Sequence, residues 1–297
     1  MAEAESGDHW ARWVLHDRFG GCEEARRASL MGLELIRDRV LDNAEIKHGD
    51  VVLDVGCGDG LIGFGALARV GRPGKVIFSD VSQNLLNECA RASAEMGTAD
   101  RCTFINTRAE TLAGIPSESV DVVATRSVLI YVDDKQAAFE SFHRVLRLDG
   151  RVSIFEPINR RMNELNRSTF LGFDSSGVEE LAGKVQHVFE QSAPQAMTGF
   201  DETDLFRLAE DAGFRETQVT LELKSSQPPF GSMDWSVERM TSPNPLAPTV
   251  ARAIDLALTP AEAERFERHM ASAMNKARRL VNRSAYAFVK ATKGDLG

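Results

Sequence analysis

Cysteine is scarce in this chain, with four among 297 residues, and no two of them share a C-x-x-C spacing. Cys22, Cys57, Cys89 and Cys102 therefore suggest neither a zinc site nor a disulfide framework, and free thiols in a reducing compartment are expected. Excess positive charge is also missing. The net charge of -9 and a pI near 5.3 argue against an extended nucleic-acid or anionic-membrane surface. No apolar run is long enough to cross a bilayer, and the N-terminus has no signal-peptide pattern. The expectation is a soluble, cytoplasmic protein with no membrane or nucleic-acid partner.

What the chain has is 43% hydrophobic residues, enough for one enlarged α/β domain or two smaller ones, and a glycine-rich turn. Val51-Val-Leu-Asp-Val-Gly-Cys-Gly-Asp-Gly60 reads as a buried parallel strand stopping at a backbone-lined pocket. Gly56, Gly58 and Gly60 permit positive φ and carry no Cβ to hold a ligand off the main chain. Leu61, Ile62, Phe64, Leu67 and Ala68 then recur at helical spacing, so the turn feeds a helix N-terminus that favours a negative ligand group.

Two cofactor classes use such a unit. Gly58-Asp-Gly-Leu-Ile-Gly63 satisfies the dinucleotide pattern, but a turn placed there stretches the strand through Asp54 and buries a carboxylate without an evident partner. A turn starting at Gly56 loses the third glycine, because Leu61 stands in its place. An NAD-dependent oxidoreductase is thus the weaker reading. Leu53-Asp-Val-Gly-Cys-Gly-Asp-Gly60 resembles the first motif of class I S-adenosylmethionine (SAM)-dependent methyltransferases, whose product is S-adenosylhomocysteine. The resemblance covers roughly Asp50 to Pro157, within a broad group of quinone-biosynthesis, arsenite and natural-product enzymes. It implies a Rossmann-like α/β fold, a seven-stranded, mostly parallel sheet whose last strand is antiparallel, and helical insertions serving as substrate lids.

Carried onto this chain, the resemblance sets Asp54 beside the methionine end of SAM, with Gly56, Cys57, Gly58 and Gly60 along the backbone. Asp80 closes a second apolar run at the separation expected of a ribose-binding carboxylate, followed by Val81 and Ser82. The other reading of Asp80 is a cap for the helix starting near Ser82. After the third strand, Arg108 replaces the family's usual acid, leaving Ala109 and Glu110 as matches; Arg108 is either an adenine neighbour or a solvated loop charge. Arg126 and Ser127 follow the fourth strand as cofactor contacts, with Tyr131 nearer the acceptor.

Alternation of apolar runs predicts strands at Val51–Val55, Lys75–Ser79, Cys102–Ile105, Val120–Ala124 and Arg151–Phe155, then Glu216–Leu223 and Ser284–Ala291. Helices are expected at Glu23–Asn43, Leu61–Val70, Gln83–Met96, Asp134–Leu146 and Glu202–Ala212. The domain plan is an N-terminal helical lid (1–48), the SAM-binding core (49–157), an insertion (158–200), a core continuation (201–224), a second insertion serving as substrate cap (225–282) and a final strand with tail (283–297).

Substrate specificity is expected in the added segments. Phe230, Met233 and Trp235 either line an apolar acceptor pocket or pack the second insertion onto the sheet. Near the N-terminus, Trp13, Arg18 and Phe19 with His16 suggest a flap over the site, against the alternative of a hydrophobic anchor. SAM already carries its leaving group, so alignment and exclusion of water are the main requirements. If a base is used, the candidates are His16, then Glu156, then Tyr131. The acceptor is expected to be a small or medium-sized metabolite, with a peptide carboxylate suggested by Arg160, Arg161 and Arg167 as the alternative. A non-catalytic SAM-binding regulator is the reading from a different class. No metal is expected.

Overall fold

The computed structural model describes residues 8–167, 169–226, 234–276 and 282–294. In chain order its elements begin with α1 (His9–Leu15), α2 (Glu23–Asn43), β1 (Val51–Val55), α3 (Leu61–Val70), β2 (Lys75–Asp80), α4 (Gln83–Glu95), β3 (Cys102–Asn106), β4 (Val120–Arg126), α5 (Lys135–Val145) and β5 (Leu146–Pro157). They continue with α6 (Asn159–Leu165), β6 (Thr169–Phe170), β7 (Phe173–Asp174), α7 (Glu179–Ser192), α8 (Glu202–Asp211), β8 (Phe214–Ser226), α9 (Trp235–Glu238), α10 (Val250–Ala257), α11 (Pro260–Lys276) and β9 (Asn282–Lys293).

The chain divides into two compact units, one made of residues 33–158, 195–222 and 286–297, the other of residues 1–32, 159–194 and 223–285. The sheet lies in the first, in the order β3-β2-β1-β4-β5-β9-β8. Strands β1 to β5 pair in parallel, whereas β9 runs antiparallel to β5, with Phe288 opposite Phe155. Strand order reverses at β1, which leaves a crevice beyond the carboxyl ends of β1 and β4 where open α/β sheets take ligands.

Apolar β-branched runs make these strands because both of their faces are covered. Val52, Val76, Phe78, Val122 and Ala124 are buried with Ile62, Ala66 and Val70 of α3 and with Val40, Leu41 and Ala44 of α2. That packing explains why the first unit boundary falls within α2, at Gly32 and Leu33, and not at residue 48: the second half of the helix belongs to the sheet's core. A Cβ on Gly65 would stand 2.6 Å from Arg37 and 2.8 Å from Leu41, so α2 and α3 approach closely there. β4 extends two residues past Ala124, to Arg126, and α5 starts at Lys135 because the Asp134 side chain caps it by accepting from Ala137 N.

The second unit has a core of its own, in which Phe170, Phe189, Trp235, Ile254, Phe266 and Met270 are buried together. Its long helix α11 begins just after Thr259. Glu262 accepts from the Thr259 N–H at 2.8 Å and Thr259 Oγ1 accepts from the Glu262 N–H, a reciprocal cap ahead of Pro260. Among the described residues no helix is long and apolar enough to cross a membrane.

Candidate cofactor site

All three turn glycines have positive φ: 63° at Gly56, 56° at Gly58 and 84° at Gly60. At two of them the missing Cβ serves packing. A Cβ on Gly56 would lie 2.4 Å from a Val128 methyl, and one on Gly60 the same distance from the Phe64 ring. The bare-backbone expectation is corrected to that extent, since protein side chains already occupy those two directions. Gly63 likewise needs its hydrogen, because a Cβ there would meet the Phe78 ring at 2.2 Å.

Asp54 is enclosed by the protein. It is 1% exposed, its Oδ2 accepts from Gly63 N at 2.8 Å, and burial pushes its pKa up to about 8 despite that bond. Bonded to the first turn of α3, this carboxyl anchors the strand to the helix, and burial favours its neutral form. The sequence sets Asp54 beside the methionine end of SAM, and its position after three apolar residues does not reveal the bond to Gly63 N.

Asp80 is at the rim of the crevice, at the end of β2. One carboxylate oxygen accepts from Gly58 N at 2.9 Å and the other from Ser82 N at 2.8 Å, so this acid ties the glycine turn to the loop after β2. Ser82 caps α4 through Leu85 N, and the cap reading belongs to it and not to Asp80. Val81 is exposed between them. Two residues not foreseen complete this corner. Asn106 donates to the carbonyls of Asp80 and Val81, both at 3.0 Å, and the Thr107 N–H bonds to Asp80 O. The Thr107 hydroxyl is buried without a partner. Nothing in the sequence marked either residue, because the register that brings β3 alongside β2 exists only in the folded sheet.

Beyond β4 the backbone turns sharply. Ser127 has φ of 58°, a costly conformation for a residue with a side chain, and its N–H donates to Phe155 O at 2.8 Å. The next three N–H groups all go to Glu156: Val128 and Leu129 to Oε1 at 2.8 and 2.9 Å, Ile130 to Oε2 at 3.2 Å. Glu156 is fully buried, and that burial pushes its pKa up to about 7 against the pull of those bonds. As a candidate base it is corrected: both oxygens are enclosed by the loop they hold. Tyr131 ends the short helical turn 129–131 and is half-buried, and Arg126 is the last residue of β4, near enough to Asp54 to favour its charged form. Lys135, also unforeseen, is buried and donates to the carbonyls of Val132 and Ala196.

Arg108 is exposed and paired with Glu110 at 2.7 Å, in keeping with a solvated loop charge, whereas Ala109 is buried. Cys57 and Cys89 are both buried, and each thiol is directed at the same carbonyl, that of Gly58.

Those residues first assigned to acceptor binding that the structure describes belong to the second unit and are engaged within it. Trp13 Nε1 donates to Ser242 O at 2.9 Å, the Arg18 guanidinium stacks over the Trp13 and Phe19 rings, and Phe19 is buried. His16 bonds Asp17 through Nδ1, and its ring packs where a Cβ on Gly21 would be, which gives it a structural task in the Gly20-Gly21 turn. Trp235 is buried edge-on to Phe266 and is a core residue, not a pocket wall. Phe230 and Met233 lie outside the described residues.

An antiparallel strand between the last parallel one and the edge is absent from a six-stranded dinucleotide sheet. Residues 52–150 match the family model described as a methyltransferase domain. Those residues are a methyltransferase domain. The domain resembles part of nocamycin O-methyltransferase of Saccharothrix syringae, 30% identical over 49% of this chain and 50% of that protein. A ubiquinone/menaquinone biosynthesis C-methyltransferase of Xanthomonas oryzae is 32% identical over 38% of this chain and 44% of its own length. The chain thus spans about half the length of these curated relatives. Geranyl diphosphate C-methyltransferase from Streptomyces coelicolor superposes with a TM-score of 0.53 at 14% identity, over 91% of this chain and 83% of that one, a likeness of fold.

The rim of the methyltransferase domain suits SAM on physical grounds. The Asp80 carboxylate stands at the end of β2 beside the glycine turn, where its separation from that turn suits a ribose-binding acid. The unsatisfied Thr107 hydroxyl beside it is the kind of buried polar atom that a bound nucleoside would satisfy.

Proposed function

We propose that this protein is a SAM-dependent methyltransferase that methylates a small or medium-sized metabolite at an oxygen, nitrogen or carbon nucleophile by in-line displacement. The observation that carries the reading is the buried corner where Asp80 holds both the glycine turn and the β2 exit, beside the unsatisfied Thr107 hydroxyl. Asp80 would bind the ribose hydroxyls, Val81 would cover the adenine as an exposed apolar side chain, and Thr107 would add a hydroxyl contact. The main chain at Gly56 to Gly60 and the loop from Ser127 to Tyr131 would hold the amino-acid end.

Bound SAM supplies an electrophilic methyl group with its leaving group already activated. The protein's part is then alignment, and Glu156 is a positioning residue: by satisfying three N–H groups it fixes the loop after β4 in a shape that Ser127 would not keep alone. With Glu156 enclosed and His16 engaged in its own turn, the acceptor either enters already ionised or gives its proton to water or to Tyr131. Acceptor choice is assigned to the segments added to the minimal fold, 159–194 and 223–285. A peptide carboxylate is not favoured, since Arg161 already pairs with Glu164.

Calorimetric titration with SAM, S-adenosylhomocysteine and NAD tests the cofactor, and transfer of labelled methyl to a panel of phenols, carboxylic acids and quinols tests the reaction. Saturable binding of SAM but not of NAD, with label reaching a small acceptor, is expected. Binding of NAD in preference to SAM would overturn the reading.

A further inference from the structure

Cys57 lies in the glycine turn and Cys89 on α4, thirty-two positions apart, and no spacing rule joins them. The fold brings them together. Both thiols are directed at Gly58 O, Cys89 at 3.4 Å and Cys57 at 3.9 Å. Cys89 Sγ also lies 3.1 Å from where a Cβ on Gly60 would be, so the dithiol abuts two of the three turn glycines. Gly58 is thus held on both sides of its residue, its N–H by Asp80 and its carbonyl by the thiols.

We propose that Cys57 and Cys89 form a peroxide-oxidisable dithiol whose disulfide locks the cofactor turn in a form that binds SAM poorly. The regulatory half of this proposal rests on the cofactor reading above; the disulfide itself does not. Cys57, 6% exposed against 1% for Cys89, is the thiol that a peroxide reaches first. Its sulfur, as thiolate, displaces hydroxide from hydrogen peroxide to give a sulfenic acid, and the proton it has lost converts that hydroxide to water. Cys89 sulfur then attacks the sulfenic sulfur, a second water leaves with the Cys89 proton, and two thiols have been oxidised as one peroxide is reduced to two waters.

The neighbouring Cys89 thiol and then burial hold Cys57 protonated, so the reaction is slow in the closed turn and requires the turn to open. A ligand that keeps the turn closed protects the pair. Once formed, the S–S bond of about 2 Å is shorter than the contact between two thiols, and it pulls the Cys57–Gly58 peptide toward α4. The Gly58 N–H that meets Asp80 shifts with it, and the ribose carboxylate loses its alignment.

The test treats the full-length protein with hydrogen peroxide, with and without S-adenosylhomocysteine, and maps peptides by mass spectrometry before and after reduction. Calorimetry then gives SAM affinity for the reduced and oxidised forms. Expected results are a Cys57–Cys89 crosslinked peptide, slowed by the ligand, and SAM binding weakened about tenfold or more and restored by a thiol reductant. Cys89→Ala removes the crosslink and the effect of peroxide on affinity. Oxidation confined to Cys22 or Cys102, or a Cys57–Cys89 crosslink that leaves SAM affinity unchanged, overturns the proposal. Reduced protein that binds no SAM, with the crosslink still formed, would defeat the cofactor reading and the regulation built on it while leaving the dithiol chemistry standing.

Discussion

Replacing Glu156 with glutamine separates the two things that its carboxylate does. At most one of the two terminal atoms of glutamine can accept, so if its oxygen keeps Val128 and Leu129, its NH2 faces the Ile130 N–H and that buried donor goes unpaired. The loss is about 1–3 kcal/mol. Charge works the other way. Burial raises the pKa of Glu156 from 4.5 to about 7, so the unfolded chain gives up its proton before the folded one does. The contribution of the neutral acid to stability is complete below about pH 4.5 and is lost as the pH rises through about 7, about 3 kcal/mol in all. Glutamine does not titrate. Chemical denaturation near pH 5 should find Glu156→Gln less stable than the wild type by about 1–3 kcal/mol. Near pH 9 the difference should vanish or reverse. Asp54, also raised, titrates in both proteins and cancels in the comparison. Methyl transfer by the variant should fall by roughly 10- to 100-fold, because the Ser127 turn loses the anchor that aligns it. Wild-type and variant stabilities that decline in parallel with pH would refute the reasoning, since Glu156 would then not be the titrating group.

Two further perturbations probe the glycine turn and the end of β2. Asp80→Ala should weaken SAM binding by about 1–3 kcal/mol in calorimetry, through loss of the ribose contact and of the acceptor for Gly58 N and Ser82 N; unchanged affinity would remove Asp80 from the site. Gly56→Ala places a methyl 2.4 Å from Val128 at a φ of 63°, and should lower stability by about 1–3 kcal/mol; Val128→Ala in the same chain should recover the steric part, and a double-mutant cycle showing no coupling would mean that the two do not touch.

The sequence by itself determined the strands, the helices that flank them, the position of the turn and the acid that follows β2. These are local matters: strand hydrophobicity, helical spacing and the backbone freedom of glycine act over a few residues and are visible as pattern. It also determined the cofactor class, because the acid and alternating glycines sit within one stretch of ten residues. Tertiary structure decided what each polar group does. Asp54 and Glu156 were readable as carboxylates at strand ends, but only the fold shows both enclosed and spent on backbone N–H groups, one fastening α3 and the other the loop after β4. Trp13, Phe19 and Trp235 were readable as large apolar side chains, and only packing shows that their partners are in their own unit. Thr107, Val128 and the Cys57–Cys89 pair left no trace in the sequence, since strand register and helix docking bring together residues that no spacing relates.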